Sequence, residues 1–344
     1  MITTVTGEIP AEKTGATLAH EHLLIDLRPL VAEPETGKDE FLKPLGLKNR
    51  YAVSEDPYAL LDNAVMDSES AALYDLELYK KFGGGTIVDV TTDEIARNPL
   101  ALKRLSEKSG VNIVMGCGRY IDGATLISDR KKNEKELTDE ILRDVAVGVK
   151  DTGVKAGVIG EIGTSAVVTE DEWKSVRAAA NAAAQTGLGV HVHTALWERN
   201  GLAVIDEMTA LGVNPQKIAI DHIDVDLRRD YNLAIAEKGA FLEFDNFGKE
   251  FFVPESPSGL LKGRFAYDLE RVNEIAFLVK SGFVSQILIA NDICLKSMLA
   301  SYGGNGYAHI FRHVVPMLAD AGLNEKEIET ILIKNPARFL NVGR

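Results

Sequence analysis

Eight short aliphatic runs, each followed by a stretch with helical spacing of its apolar residues, constrain this chain more than any other feature. The plainest run is Thr86-Ile87-Val88-Asp89-Val90-Thr91, whose near-continuous β-branched character is that of a strand buried on both faces. Comparable runs lie at about 16–22, 111–117, 157–161, 189–193, 217–222, 240–245 and 286–292. Helical periodicity predicts helices near 67–82, 98–109, 136–151, 170–186, 199–211, 228–238 and 267–281, with two more at 306–321 and 324–334. Strands alternating with helices call for parallel strands joined by crossover helices, and eight such units are the number that closes a TIM barrel. An open doubly wound sheet is the alternative, but the first strand–helix turn lacks G-x-G-x-x-G. The expectation is an α/β fold, a single (β/α)8 barrel over residues 1–344. Residues 1–15 form a leading cap. Residues 26–66, irregular and carrying Pro29, Pro34, Pro44 and Pro57, form a long loop over the active site.

Metal-type ligands fall at the ends of these strands. His20 and His22 end the first, and residues two apart on a strand share a face. Glu161 ends the fourth strand, His193 the fifth, His222 the sixth and Asp292 the eighth. Four of the seven histidines in the chain occupy these places. In a barrel the C-terminal strand ends converge on one mouth, where four imidazoles and two carboxylates can hold two divalent ions. His191 shares a face with His193 one layer deeper. It reads as a core histidine, with an exchange of the two as ligand left open.

Composition narrows the function. A net charge of −13 argues against a nucleic-acid surface and an anionic membrane. No apolar run approaches the length of a membrane span. Cys117 and Cys294 stand far apart, and Met1–Val5 has neither the basic nor the apolar part of a signal peptide, so a cytoplasmic location is expected. The expected partner is a small-molecule substrate.

The sequence resembles the phosphotriesterase family of the amidohydrolase superfamily, closest to its phosphotriesterase-homology and phosphotriesterase-related branches. The resemblance rests on Thr-Leu-Ala-His-Glu-His at 17–22, Gly-Val-Ile-Gly-Glu-Ile-Gly-Thr-Ser at 157–165, His-Val-His-Thr at 191–194 and Ile-Asp-His-Ile-Asp at 220–224. Ala-Asn-Asp-Ile at 290–293, Tyr-Gly-Gly-Asn-Gly-Tyr at 302–307 and Asn-Pro-Ala-Arg-Phe-Leu at 335–340 complete it. It runs in order through nearly the whole chain and is weakest in 26–66. It implies that His20, His22 and Asp292 bind an inner metal, that His193 and His222 bind an outer one, and that Glu161 bridges both with a hydroxide. Many relatives use a carbamylated lysine as the bridge; here Glu161 stands at that place and Lys155 lies at the far end of the strand. The resemblance also implies a homodimer.

Nitrogen and oxygen ligands suit Zn²⁺ first, with Mn²⁺, Co²⁺ or Fe²⁺ as alternatives. Such a pair of ions lowers the pKa of bound water from about 16 toward about 7, and Asp292 is the natural base and proton shuttle. The expected reaction is hydrolysis of a carboxylic ester, lactone or amide. Phosphotriester hydrolysis is the alternative, followed by a metal-dependent aldolase or lyase and by a metal-containing binding protein without catalysis. Candidate substrate contacts in the loops are Arg119, Tyr120, Trp197, Asp224, Arg228, Arg229, Lys249 and Lys296. Tyr120, Asp224, Lys249 and Lys296 are the four retained, and a lysine at the mouth would suit a carboxylate, sulfonate or phosphate.

Overall fold

The computed structural model describes residues 1–124, 131–253 and 263–343. Eight parallel strands surround one interior: β1 (Ala16–Glu21), β2 (Gly84–Asp89), β3 (Asn112–Met115), β4 (Ile159–Thr164), β5 (Val190–Thr194), β6 (Ile218–Ile220), β7 (Phe241–Phe244) and β8 (Ile287–Ile289). Parallel ladders join β1-β2-β3 and β4-β5-β6-β7-β8, with register shifts in the β1–β2 and β4–β5 pairs. Two irregular seams close the ring. Between β3 and β4 the Gly157 amide donates to the Met115 carbonyl at 2.9 Å and the Gly163 amide to Arg119 at 3.0 Å. Between β8 and β1 the Asp292 amide donates to the His20 carbonyl at 3.3 Å. There Glu21 also accepts from the Asn291 amide (2.7 Å), the Asn291 side chain (2.8 Å) and the Ile293 amide (2.9 Å).

Strand alternation divides the core. Ala19, Val88, Val90, Val114, Val158, Ala219, Phe241 and Leu288 form one buried cluster with Ile2, Phe339 and Leu340, which fills the barrel. Leu18, Ile87, Ile113, Val190, Ile218, Leu242 and Ile287 belong to the larger cluster shared with the helices. Most strands therefore bury both faces, whereas β5 alternates Val190 and Val192 in the helix-side cluster with His191 and His193. The leading residues pair as a small antiparallel hairpin, Ile2–Thr4 with Gly7–Ile9, whose Ile2 is fully buried.

The surrounding helices are α1 (Glu69–Lys81), α2 (Pro99–Ser109), α3 (Glu134–Ala146), α4 (Glu170–Thr186), α5 (Gly201–Ala210), α6 (Arg229–Glu237) and α7 (Asp268–Lys280), followed by helical segments at 310–320 and 325–340. The α3 helix starts earlier and ends earlier than its periodicity suggests. Asn133 caps it in a capping box with Glu136, and the chain turns at Gly148, where φ is +120°. The 26–66 segment is not featureless. Short helices at Lys38–Phe41 and Arg50–Glu55 interrupt it, and pairing of Ile25–Asp26 with Val65–Met66 brings its ends together.

Candidate metal centre

Period-two geometry sets the first half of the site. His20 and His22 project from the end of β1 to one side, while Glu21 between them turns into the seam with β8. The His22 Nε2 lies 3.3 Å from Glu161 Oε1 and 3.2 Å from Asp292 Oδ1. The His20 Nε2 lies 3.8 Å from Glu161 Oε2 and 3.7 Å from Asp292 Oδ1, and it has no hydrogen-bond partner among the described residues. Behind them a hydroxyl bonds His22, while carboxylates approach His20 Nδ1 without hydrogen-bond geometry. His22 Nδ1 is 2.8 Å from the Thr91 hydroxyl, and His20 Nδ1 is 3.2 Å from Asp221 and 3.5 Å from Asp245.

The second half assembles around Oε2 of Glu161. His193 Nδ1 stands 3.1 Å from Glu161 Oε2, and His222 Nε2 is 3.7 Å from the same atom. The two imidazole nitrogens are 2.8 Å apart. His222 is held by Asp245, which takes the His222 Nδ1 contact at 3.0 Å and accepts from the His222 amide at 3.1 Å. His20, His22 and Glu161 thus make one ligand-type group, and Glu161, His193 and His222 another, with Glu161 common to both.

Local backbone geometry supports this convergence. Gly160 has φ of +122°, and a Cβ there would lie 2.5 Å from the His191 carbonyl oxygen, so only glycine lets β4 press against β5 just before Glu161. His222 and Asp292 themselves have left-handed φ values of 62° and 45°. Side chains with a Cβ adopt that region at a cost, and such outliers concentrate at functional sites.

The electrostatics favour positive charge. Burial lowers the His20 imidazole, but Asp221, Asp245 and Glu161 outweigh it and raise it to about 9. Burial likewise opposes protonation of His22, yet hydrogen bonds to Asp292 and Glu161 carry it to about 10. Burial pushes the carboxyls of Glu161 and Asp292 up, and the surrounding imidazoles, together with Lys249 in the case of Asp292, bring both well below the usual range. Four imidazoles around two ionised carboxylates, one of them bearing an orphaned buried nitrogen, fit divalent cations in charge and donor type. A cavity of about 380 Å³ opens onto this cluster, with His22, Glu161, His193, His222 and Asp292 in its floor. Its walls include Leu27, Leu30, Tyr58, Tyr120, Trp197, Lys249, Phe251, Phe265 and Cys294.

The phosphotriesterase family model matches residues 1–340. The chain belongs to the phosphotriesterase family. It is 35% identical over 345 aligned residues to the N-acetyltaurine hydrolase of Danio rerio, covering 98% of this chain and 97% of that one. Among solved structures it superposes on a resiniferatoxin-binding protein from Rhodobacter sphaeroides with a TM-score of 0.95 at 33% identity, covering 99% of this chain and 94% of that one. It also matches the phosphotriesterase homology protein of Escherichia coli, complexed with phosphate in the active site, with a TM-score of 0.79 at 26% identity, covering 96% and 99% of the two chains. As a member of this family the protein is a metal-dependent hydrolase with the TIM-barrel fold.

Within this phosphotriesterase-family barrel the six strand-end candidates come together, and the loop candidates separate. Tyr120 and Lys249 line the cavity. The Tyr120 hydroxyl is 3.3 Å from His193 Nδ1, and the buried Lys249 ammonium pairs with Asp292. Trp197 joins the wall. Lys296 instead pairs with Asp62 at 2.5 Å and does not line the cavity. Asp224 is fully buried behind the cavity wall, 2.9 Å from Arg271. Arg119 is engaged by Glu94 and Glu140, Arg228 by Asp226, and Arg229 by Glu274. His191 lies one layer down, its Nδ1 3.0 Å from Asp221 and its ring 4.9 Å from Phe339. Asp245, which ends the seventh run, and Arg271 also support the site, and neither is among the residues selected from the sequence. The one signal for Asp245 is that it follows Glu243 by two at the end of an apolar run.

Proposed function

We propose that this enzyme holds two divalent ions, zinc first, between His20, His22 and Asp292 on one side and His193 and His222 on the other, with Glu161 shared. We propose further that it hydrolyses the amide bond of a small N-acyl amine bearing an anionic group. The observation that carries the first part is the single carboxylate shared by two pairs of imidazoles. The observation that carries the second is Lys249, the one lysine or arginine among the described cavity-lining residues, set against Asp292.

When bound, the ions polarise the acyl oxygen and lower the pKa of water toward neutrality. The chain's own residues do the rest. Asp292 is the base that takes the proton from the attacking water and passes it to the departing nitrogen. Burial works against the charge of Lys249, but Asp292 more than restores it, so the ammonium stays charged inside the cavity. It is therefore placed to receive an anion close to the leaving nitrogen. Burial holds the Tyr120 phenol well above its ordinary range, which keeps it a hydrogen-bond donor beside His193. The apolar wall of Leu27, Leu30, Trp197 and Phe265 excludes water from the acyl side.

The relative named N-acetyltaurine hydrolase supports this reading, because its name combines an amide with a sulfonate on the amine side. Esters and lactones present the same acyl carbon to the same groups. Phosphotriester cleavage is the second reading, favoured by the phosphate held in the active site of the Escherichia coli relative. The test is elemental analysis of the folded protein together with turnover of N-acetyltaurine, an acyl homoserine lactone and an aryl phosphotriester. Two ions per chain and the highest kcat/KM on the amide are expected. Lys249→Met should lower that value by roughly 10- to 100-fold, the worth of a charge-assisted hydrogen bond. Fewer than two ions in a folded chain, or preference for the lactone or phosphotriester, overturns the corresponding half.

A further inference from the structure

Arg271 in α7 is fully buried and is the largest side chain so enclosed among the described residues. Its guanidinium makes two hydrogen bonds and, through Nε, an ion-pair contact without hydrogen-bond geometry. Nε lies 2.9 Å from Asp224 Oδ2, Nη1 donates to Asp268 Oδ1 at 3.0 Å, and Nη2 donates to the Lys249 carbonyl at 3.3 Å. The two carboxylates extend the grip. Asp224 accepts from the Asn246 amide at 3.0 Å and from its side chain at 2.7 Å, while Asp268 accepts from the Gly248 amide at 2.9 Å. The far oxygen of Asp268 is 2.6 Å from His309 Nε2. The main chain of residues 246, 248 and 249 is thus held from behind by one buried cluster.

Burying a guanidinium and two carboxylates costs desolvation that apolar residues of the same volume would avoid. The geometry indicates what that cost secures. The front of the same loop carries Lys249, paired with Asp292, and Asn246, whose side chain donates to Asp245 at 2.7 Å. A lysine side chain is flexible, and its ammonium reaches a fixed point only if its backbone is fixed. We infer that Arg271, which does not line the cavity, is a positioning residue for substrate selection: it sets the Lys249 backbone so that the ammonium meets the anionic group of the substrate. This rests on the role proposed above for Lys249.

The test compares N-acetyltaurine with N-acetylethylamine, its counterpart without the sulfonate, in the metal-loaded enzyme. Arg271→Lys keeps the charge but cannot reach Asp268 and the Lys249 carbonyl together while staying beside Asp224. It should raise KM for the anionic substrate by roughly 10- to 100-fold, as expected for a group displaced by about 1 Å. The neutral substrate should change little, and both ions should be retained. Asp268→Asn, which weakens the same grip without removing the guanidinium, should shift the ratio in the same direction and serves if Arg271→Lys fails to fold. An equal loss on both substrates in folded, metal-loaded variants, or no loss on either, overturns the inference. Lys249→Met is measured alongside. If it fails to separate the two substrates, the role of Lys249 falls and this inference with it. If it separates them and the Arg271 and Asp268 variants do not, only the inference falls.

Discussion

On the two-ion reading proposed above, Asp245→Asn should weaken one ion and spare the other. Asp245 is fully buried and its Oδ1 serves the His222 Nδ1 at 3.0 Å, the His222 amide at 3.1 Å and the Asn246 side chain at 2.7 Å. Its Oδ2 faces the His222 amide at 3.1 Å and His20 Nδ1 at 3.5 Å. An asparagine keeps one oxygen and sets an NH₂ against donors where the other oxygen was. His20 retains Asp221 at 3.2 Å, whereas His222 has no second carboxylate on its Nδ1 among the described residues. Loss of such an outer partner typically lowers metal affinity by about 10- to 100-fold, or roughly 1.4–2.7 kcal/mol. The expected result is that reduction for the outer ion alone, read by competition with a chelator of known affinity and by metal content at each step. Thermal unfolding of the metal-free variant checks that the barrel is intact. Unchanged affinity for both ions, or equal weakening of both in a folded variant, would refute the assignment of Asp245 to the outer half.

Glu161→Ala removes the only carboxylate common to both ligand groups; bound metal should fall from two ions toward one or none, and turnover by roughly 1,000-fold. Retention of two ions would remove Glu161 from the bridging role. Gly160→Ala places a methyl 2.5 Å from the His191 carbonyl at a φ of +122° and should cost about 3 kcal/mol in urea unfolding; a loss under about 1 kcal/mol would show that β4 can shift aside. Glu243 is fully buried with neither oxygen hydrogen-bonded among the described residues, and burial, then Asp245, Asp221 and Asp224, raise its carboxyl well above the usual 4.5. The folded state therefore keeps a proton that the unfolded state releases above pH 4.5, and this group's contribution to stability falls as pH rises toward its folded pKa. Glu243→Gln should remove that slope, so its stability relative to wild type should grow between pH 5 and pH 8 in denaturant titrations. A constant difference across that range would mean that Glu243 folds ionised.

The barrel and the convergence of the six strand-end side chains are legible in the sequence because both depend on short-range pattern. Alternation on β1 puts His20 and His22 on one side, and parallel strands put Glu161, His193, His222 and Asp292 at the same end. The loop chemistry was not legible. Whether a loop cation faces the substrate depends on which acid reaches it first, and Lys296 meets Asp62, which lies 234 residues away in the chain. Asp224 follows the strand-six histidine closely enough to read as a substrate contact, yet Arg271 draws it behind the wall. Asp245 escaped for a related reason. It contacts the cluster through the far nitrogens of His222 and His20, and no local spacing reports which ring a carboxylate supports. Helix ends followed caps rather than periodicity, as Asn133 and Gly148 show at α3.

The seam between β8 and β1 has a consequence for biosynthesis. Glu21 closes that seam by gripping Asn291 and Ile293, and the histidines on either side of Glu21 face Asp292 across it. A chain emerging from the ribosome carries His20 and His22 with its first barrel strand and gains Asp292 only with the eighth. Glu161, already made with the fourth strand, is the earlier acid partner of His22, so an inner ion as proposed above would gain its second carboxylate only when this seam closes. Docking of the eighth strand is thus the step that completes the ligand group proposed for the inner ion.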